Sequence, residues 1–127
     1  MNSSKKIVFE NFSVTINDLG FYEIEVFNDK EFGFEELTNL KESQVKMGAQ
    51  HLPVLVLCGS YSSTDTVFLK HLSKNENNPY SKADAFVITS IAQKILANFY
   101  IKIFIPERPT RFFKTKEDAI IWLKQYI

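Results

Sequence analysis

The sequence predicts an α/β fold: a mixed sheet of about five strands with about four helices, in the order β-β-α-β-α-β-α-β-α. Three observations point to it. Near the N-terminus Phe12, Val14 and Ile16 alternate with polar residues, and after Asn17-Asp18-Leu19-Gly20 the alternation resumes at Tyr22, Ile24 and Val26. Three later apolar runs lack polar alternation, as strands covered on both faces require. Between and after those runs lie stretches with helical apolar spacing, two of which open on capping patterns.

The first two strands form a hairpin with one wet face, because Glu23 and Glu25 fall between its inward residues. Ile7 and Phe9 stand one residue out of phase with Phe12, which predicts a bulge or bend near Glu10-Asn11. A helix is expected after Gly33, with Phe34, Leu37 and Leu40 inward and glutamates in its first turn, where the helix dipole favours them. The apolar runs Pro53–Cys58, Ala85–Ile88 and Ile101–Ile105 are the expected parallel strands, joined by right-handed crossovers. The helical stripes are Val67, Phe68, His71 and Leu72; then Ile91, Ile95 and Phe99; then Ala119, Trp122, Leu123 and Tyr126. Ser90-x-x-Gln93 and Thr115-x-x-Asp118 cap the last two. Asn75 to Ser81 reads as a plain loop.

A chain of 127 residues has room for a single domain, 1–127, with a real core. Its 24 % charged residues, with 4 glycines and 4 prolines, exclude disordered and low-complexity classes. A formal net charge of zero argues against nucleic-acid binding, which needs a basic footprint. One cysteine forms no internal disulfide and fits a reducing compartment. The purest apolar run, Leu52 to Cys58, is too short to cross a bilayer, so no integral membrane association and a cytoplasmic location are expected. The charge is segregated. Glu10 to Glu42 holds nine acids and two lysines, a local net of −7, whereas Lys102 to the C-terminus holds six bases and three acids, a local net of +3. Such asymmetry would serve to steer a charged partner or to pair two copies as a homodimer, but two solvated faces that partly neutralise each other in the fold account for it more simply.

Ligands of open α/β sheets sit in the crevice beyond the strand ends. Ser60, Ser62, Ser63, Thr64, Thr89 and Ser90 fall there, around two helix N-termini, and make a candidate anion or switch site; as plain caps and turn residues they need no ligand. Arg108, Arg111, Lys114 and Lys116 form a candidate basic patch for an acidic partner or a phosphate. Cys58 with His71 is the one nucleophile–base pairing to weigh, but Cys58 ends an apolar strand and His71 lies on an apolar stripe, so packing is expected of both. Two histidines and one cysteine without ligand spacing predict no metal site. Phosphate-binding glycine loops and paired carboxylates are missing, so neither cofactor nor enzymatic activity is expected. Phe32, Phe34, Phe112 and Phe113 exceed what these periodicities bury, and any left exposed together would mark an interface.

The stretches Lys82-Ala83-Asp84-Ala85-Phe86-Val87-Ile88, Ala97-Asn98-Phe99-Tyr100, Pro109-Thr110-Arg111-Phe112-Phe113 and Ala119-Ile120-Ile121-Trp122-Leu123 resemble the SpoIIAA-like family of small bacterial proteins, within the wider STAS and CRAL-TRIO-like group. The resemblance spans roughly residues 7 to 126 and is strongest from Lys82 onward. It implies the element order given above, and a non-catalytic interaction or regulatory module of the anti-anti-sigma type. Such modules carry a switch serine at the start of the helix after the third strand, in an Asp-Ser-Ser-Gly pattern. Here Tyr61-Ser62-Ser63-Thr64 stands in that place, without the leading acid or the trailing glycine, so modification of Ser62 or Ser63 is not expected. The CRAL-TRIO relatives imply the alternative, a small apolar or anionic ligand held between sheet and helices.

Overall fold

The N-terminal alternation folds into three strands, one more than its period indicates. The computed structural model describes residues 5–127, with β1 at Ile7–Val8, β2 at Phe12–Ile16 and β3 at Tyr22–Val26, each antiparallel to the next. The phase slip before Phe12 is a chain reversal rather than a bulge: the Phe9 N–H donates to the Phe12 carbonyl at 2.8 Å, and β1 lies back along β2. Between β2 and β3 the Asn17 side chain accepts the Leu19 N–H at 2.7 Å, and Gly20 takes a φ of +99° that a side chain would resist.

Then come α1 (Phe34–Lys46), β4 (Leu52–Cys58), α2 (Thr66–Leu72), β5 (Ser81–Val87), α3 (Ile91–Phe99), β6 (Thr110–Phe113) and α4 (Lys116–Leu123). Start signals sit where capping chemistry needs them. The Gly33 N–H donates to Glu36, Asp65 accepts the Phe68 N–H, Ser90 accepts the Gln93 N–H and Thr115 accepts the Asp118 N–H. The sheet order is β1-β2-β3-β4-β5-β6, with β3 to β6 mutually parallel. Three crossovers step the same way along the sheet, and right-handed connections then put α1, α2 and α3 on one face. Among the described residues only α4, after the last strand, covers the other.

Strand β4 shows the consequence. Val54 and Val56 pack with Leu37, Leu40, Phe68 and Tyr100 of the three-helix face, while Leu55 and Leu57 pack with Ala119 and Leu123 of α4. Both sides are dry, so the strand carries no polar alternation. Among the described residues no helix is long and apolar enough to cross a membrane.

Several expectations are corrected. Ile101–Ile105 is not a strand: α3 continues without a break into a π-helical turn, Tyr100–Phe104. Leu96, Tyr100 and Phe104, spaced four apart, share the buried side of this continuous helix, which outweighs the β-branched character of the run. Ile105 ends it at a φ of +49°, its N–H donating to the Tyr100 carbonyl at 3.1 Å. The last strand is instead Thr110–Phe113, so six strands follow the order β-β-β-α-β-α-β-α-β-α. The α3 stripe points the other way: Ile91 and Ile95 are 77 % and 64 % exposed. Asn75–Asn77 forms one 3-10 turn, and Ser81 already belongs to β5. Phe34 is half-exposed, its ring edge-on to Phe68, and Val67 faces out.

Candidate functional site

Between the sheet and α1, α2 and α3 the packing leaves a cavity of about 130 Å³. Ile24, Val54, Phe86 and Phe112 line it from four neighbouring strands, and Leu40, Phe68 and Leu96 from the three helices. Its wall runs from fully buried Gln44 to exposed Ser63, at the carboxyl ends of the parallel strands, where an open α/β sheet is expected to hold ligands.

Few lining groups are polar, and their partners differ. Asp84 and Arg108 form a buried ion pair, Nε to Oδ2 at 2.7 Å, with both side chains almost wholly enclosed. Arg108 also donates to the Leu72 carbonyl at 2.8 Å and to Asn75 at 3.2 Å, and the Ser81 hydroxyl donates to the other Asp84 oxygen. Gln44 and Tyr100 line the same cavity, 0 % and 1 % exposed; the Gln44 amide has no hydrogen-bond partner, and the Tyr100 hydroxyl, which faces the Arg108 guanidinium and Asp84, makes no hydrogen bond of ordinary geometry. Burial pushes the Tyr100 phenol well above its ordinary range.

The serine-rich crevice divides in two. Ser62, Ser63 and Thr64 line the cavity, whereas Ser60, Thr89 and Ser90 do not. Five of the six hydroxyls are engaged within the chain: Ser62 donates to the Gly59 carbonyl at 2.8 Å, Thr64 donates to Phe32 at 2.7 Å, Ser60 shares a bond with Thr89, and Ser90 caps α3, while Ser63 is exposed. Gln93 stitches the loop to α3, its amide donating to Gly59 at 2.7 Å and to the Ser62 carbonyl at 3.2 Å. At α2 the anion facing the helix end is the chain's own Asp65.

The structure separates Arg108 from the rest of the predicted basic patch, while Arg111, Lys114 and Lys116 stay exposed. Arg108 is inside, 5 % exposed, because only there does it neutralise Asp84. Arg111 lies 5.5 Å over the Phe113 ring, Lys116 pairs with Glu23 at 3.2 Å, and Lys114 is exposed. Cys58 and His71 have separate surroundings. His71 packs its ring against Phe34 at 4.9 Å, while Cys58 lines the cavity, where burial pushes its thiol up to about 12. An activated thiolate requires the opposite shift.

Gln44 and Tyr100 escape a reading of sequence alone. Gln44 continues the face of Leu37 and Leu40 with a polar group, a departure legible once the helix is placed. Tyr100 is hidden by the strand-like run that follows it.

The family described as a domain of unknown function (DUF7793) matches residues 23–127. No curated protein matches the chain. Among solved structures, the chain is similar to an uncharacterized protein of the DUF3478 family from Shewanella loihica PV-4, whose crystal structure has a SpoIIAA-like fold. The two share 13 % identity and a TM-score of 0.55, over 97 % of this chain and 98 % of that one. At that identity the likeness establishes the architecture, a SpoIIAA-like α/β fold.

Proposed function

This chain belongs to the DUF7793 family, and we propose that it serves as a non-catalytic, STAS-related interaction module that docks a protein partner through α3. The observation that carries this reading is the outward face of α3 and its π-helical extension, where Ile91, Ile95, Phe99 and Ile103 are all exposed. Scattered surface apolar residues are ordinary, but a contiguous apolar ridge on one element marks a docking surface. Between Ile91 and Ile105 the charged residues are Lys94 and Lys102, both exposed. The complementary partner therefore presents an apolar groove flanked by acids. Two further points support the reading: the one thiol is held protonated, and the Ser62 and Thr64 hydroxyls are engaged with the chain's own backbone.

The test compares immobilised wild-type protein with the double variant Ile91→Asp/Ile95→Asp, alongside light scattering of both in solution. Because both side chains face solvent, the variant keeps its fold, with a stability change within about 0.5 kcal/mol. We expect the wild type to retain a partner, another protein or a second copy, that the variant releases. A partner retained equally by both, or a strictly monomeric wild type that retains none, removes the proposal.

A further inference from the structure

The inner side of α1 and α3 carries polar groups that docking on the outer ridge leaves unused. Gln44 is fully buried with both its amide nitrogen and its amide oxygen unpartnered, and Tyr100 is buried with its hydroxyl unpartnered. A folded chain loses stability by enclosing such groups, so each needs an explanation. All of them border the same cavity of about 130 Å³, whose other walls include Leu40, Val54, Phe86 and Phe112 along with Ser62, Asn78 and Asp84. An apolar cavity near this size accepts a body about as large as benzene.

The polar groups set the rest of the ligand. A carboxamide offers a donor and an acceptor side by side, and a phenol offers one of each. Their complement is a group that both donates and accepts. Charge is disfavoured, because Asp84 and Arg108 already neutralise one another and every Arg108 nitrogen is engaged: Nε with Asp84, Nη1 with Asn75 and Nη2 with the Leu72 carbonyl. Among the residues lining the cavity no unpaired cation or anion remains to offset the desolvation of an ion. We propose that the cavity is a binding site for a small uncharged amphiphile, an apolar body about the size of one aromatic ring carrying an amide-like or phenol-like group held by Gln44 and Tyr100. In the free protein, water satisfies these groups, and the ligand displaces it.

The experiment titrates benzamide, benzoate and toluene into nitrogen-15-labelled protein and follows the amide resonances. Benzamide should saturate, shifting resonances around Leu40–Gln44 and Leu96–Tyr100, and should bind at least tenfold more tightly than benzoate. Gln44→Met keeps the length of the side chain and removes an unpartnered buried amide, so the variant should melt no lower than wild type. It should weaken benzamide at least tenfold while changing toluene by less than twofold; Tyr100→Phe should weaken benzamide in the same selective way. Ile91→Asp/Ile95→Asp should leave benzamide binding unchanged, which separates this site from the outer ridge. The proposal is overturned if benzamide gives no saturable shifts, leaving a cavity that holds water only. It is equally overturned if benzoate binds as tightly, or if Gln44→Met weakens benzamide and toluene alike.

Discussion

Replacing Arg108 by methionine asks what the Asp84–Arg108 pair contributes. The substitution retains most of the buried stem and removes the guanidinium, leaving the Asp84 carboxylate enclosed, with the Ser81 hydroxyl as its remaining side-chain partner. At 2.7 Å and an effective dielectric near 20, the lost attraction is about 6 kcal/mol before any desolvation is credited. The Leu72 carbonyl and Asn75 lose donors as well. Measured losses for breaking one side of a buried pair run at about 3–5 kcal/mol, a large part of the 5–15 kcal/mol that holds a typical domain folded. Removing both charges in Asp84→Leu/Arg108→Met should recover at least half of the loss, since no ion is then left inside. Urea unfolding of wild type and variants at pH 7, with unchanged slopes, measures each step. If Arg108→Met costs less than about 1 kcal/mol, as an exposed patch residue would, or if the double variant is no better than the single one, the account of this pair is wrong.

Three other outcomes follow from the same coordinates. Gly59→Ala puts a Cβ 2.5 Å from the backbone nitrogen of Asn28 and 2.6 Å from its Cα, which cannot step aside; we expect a loss of about 2–3 kcal/mol, seen as a melting midpoint lowered by roughly 5–10 °C. In alkali, Cys58 keeps its proton to about 12 in the fold against 9.0 as its ordinary value, and Tyr22 to about 12 against 10.0. The native state then holds protons that the unfolded chain releases, so stability is complete below pH 9 and falls by up to about 1.4 kcal/mol per pH unit for each group as pH rises toward 12. Urea midpoints at pH 8 and pH 10 should fall less in Cys58→Ala, and an identical fall in both proteins would exclude the thiol as a cause. Ile105 holds a left-handed backbone with its side chain 69 % exposed; Ile105→Gly relieves about 1–2 kcal/mol of strain against about 0.5–1 kcal/mol of added chain entropy. A net gain of about 0.5–1 kcal/mol in urea unfolding is expected, and a net loss would mean that the isoleucine side chain contributes packing there.

Where sequence and structure agree, one local rule sufficed. Glutamates at alternate positions of β3 and the dry run of β4 report directly on what covers each face, and Asp65, Ser90 and Thr115 start helices because free N–H groups need oxygen acceptors. The disagreements lie where two local rules conflict. Ile101 to Ile105 satisfies a strand by its β-branched residues and a helix by its continuity with Leu96 and Tyr100, and burial of that second face decides. On α3 two apolar stripes compete for the sheet, so periodicity finds the helix without finding its inner side. Arg108 is buried by a partner 24 residues earlier in the chain, a relation that the neighbouring Pro-Glu-Arg-Pro does not reveal. The serine loop was legible as a crevice, but Gln44, four residues beyond Leu40, and Tyr100 became site residues only when three helices met over four strands.

Both proposals therefore converge on one element for a physical reason. An amphipathic helix over a sheet buries one stripe and wets the other. α4 nearly complies, with Ile121 its one large apolar residue in solvent, whereas α3 and its π-helical turn expose Ile91, Ile95, Phe99 and Ile103. The same segment turns the unpartnered Tyr100 hydroxyl toward the cavity. A helix whose outer face is too apolar for water and whose inner face is too polar for its core is consistent with neither solvation nor packing alone. Binding on either side would relieve one of these mismatches, which is why both proposals rest on α3.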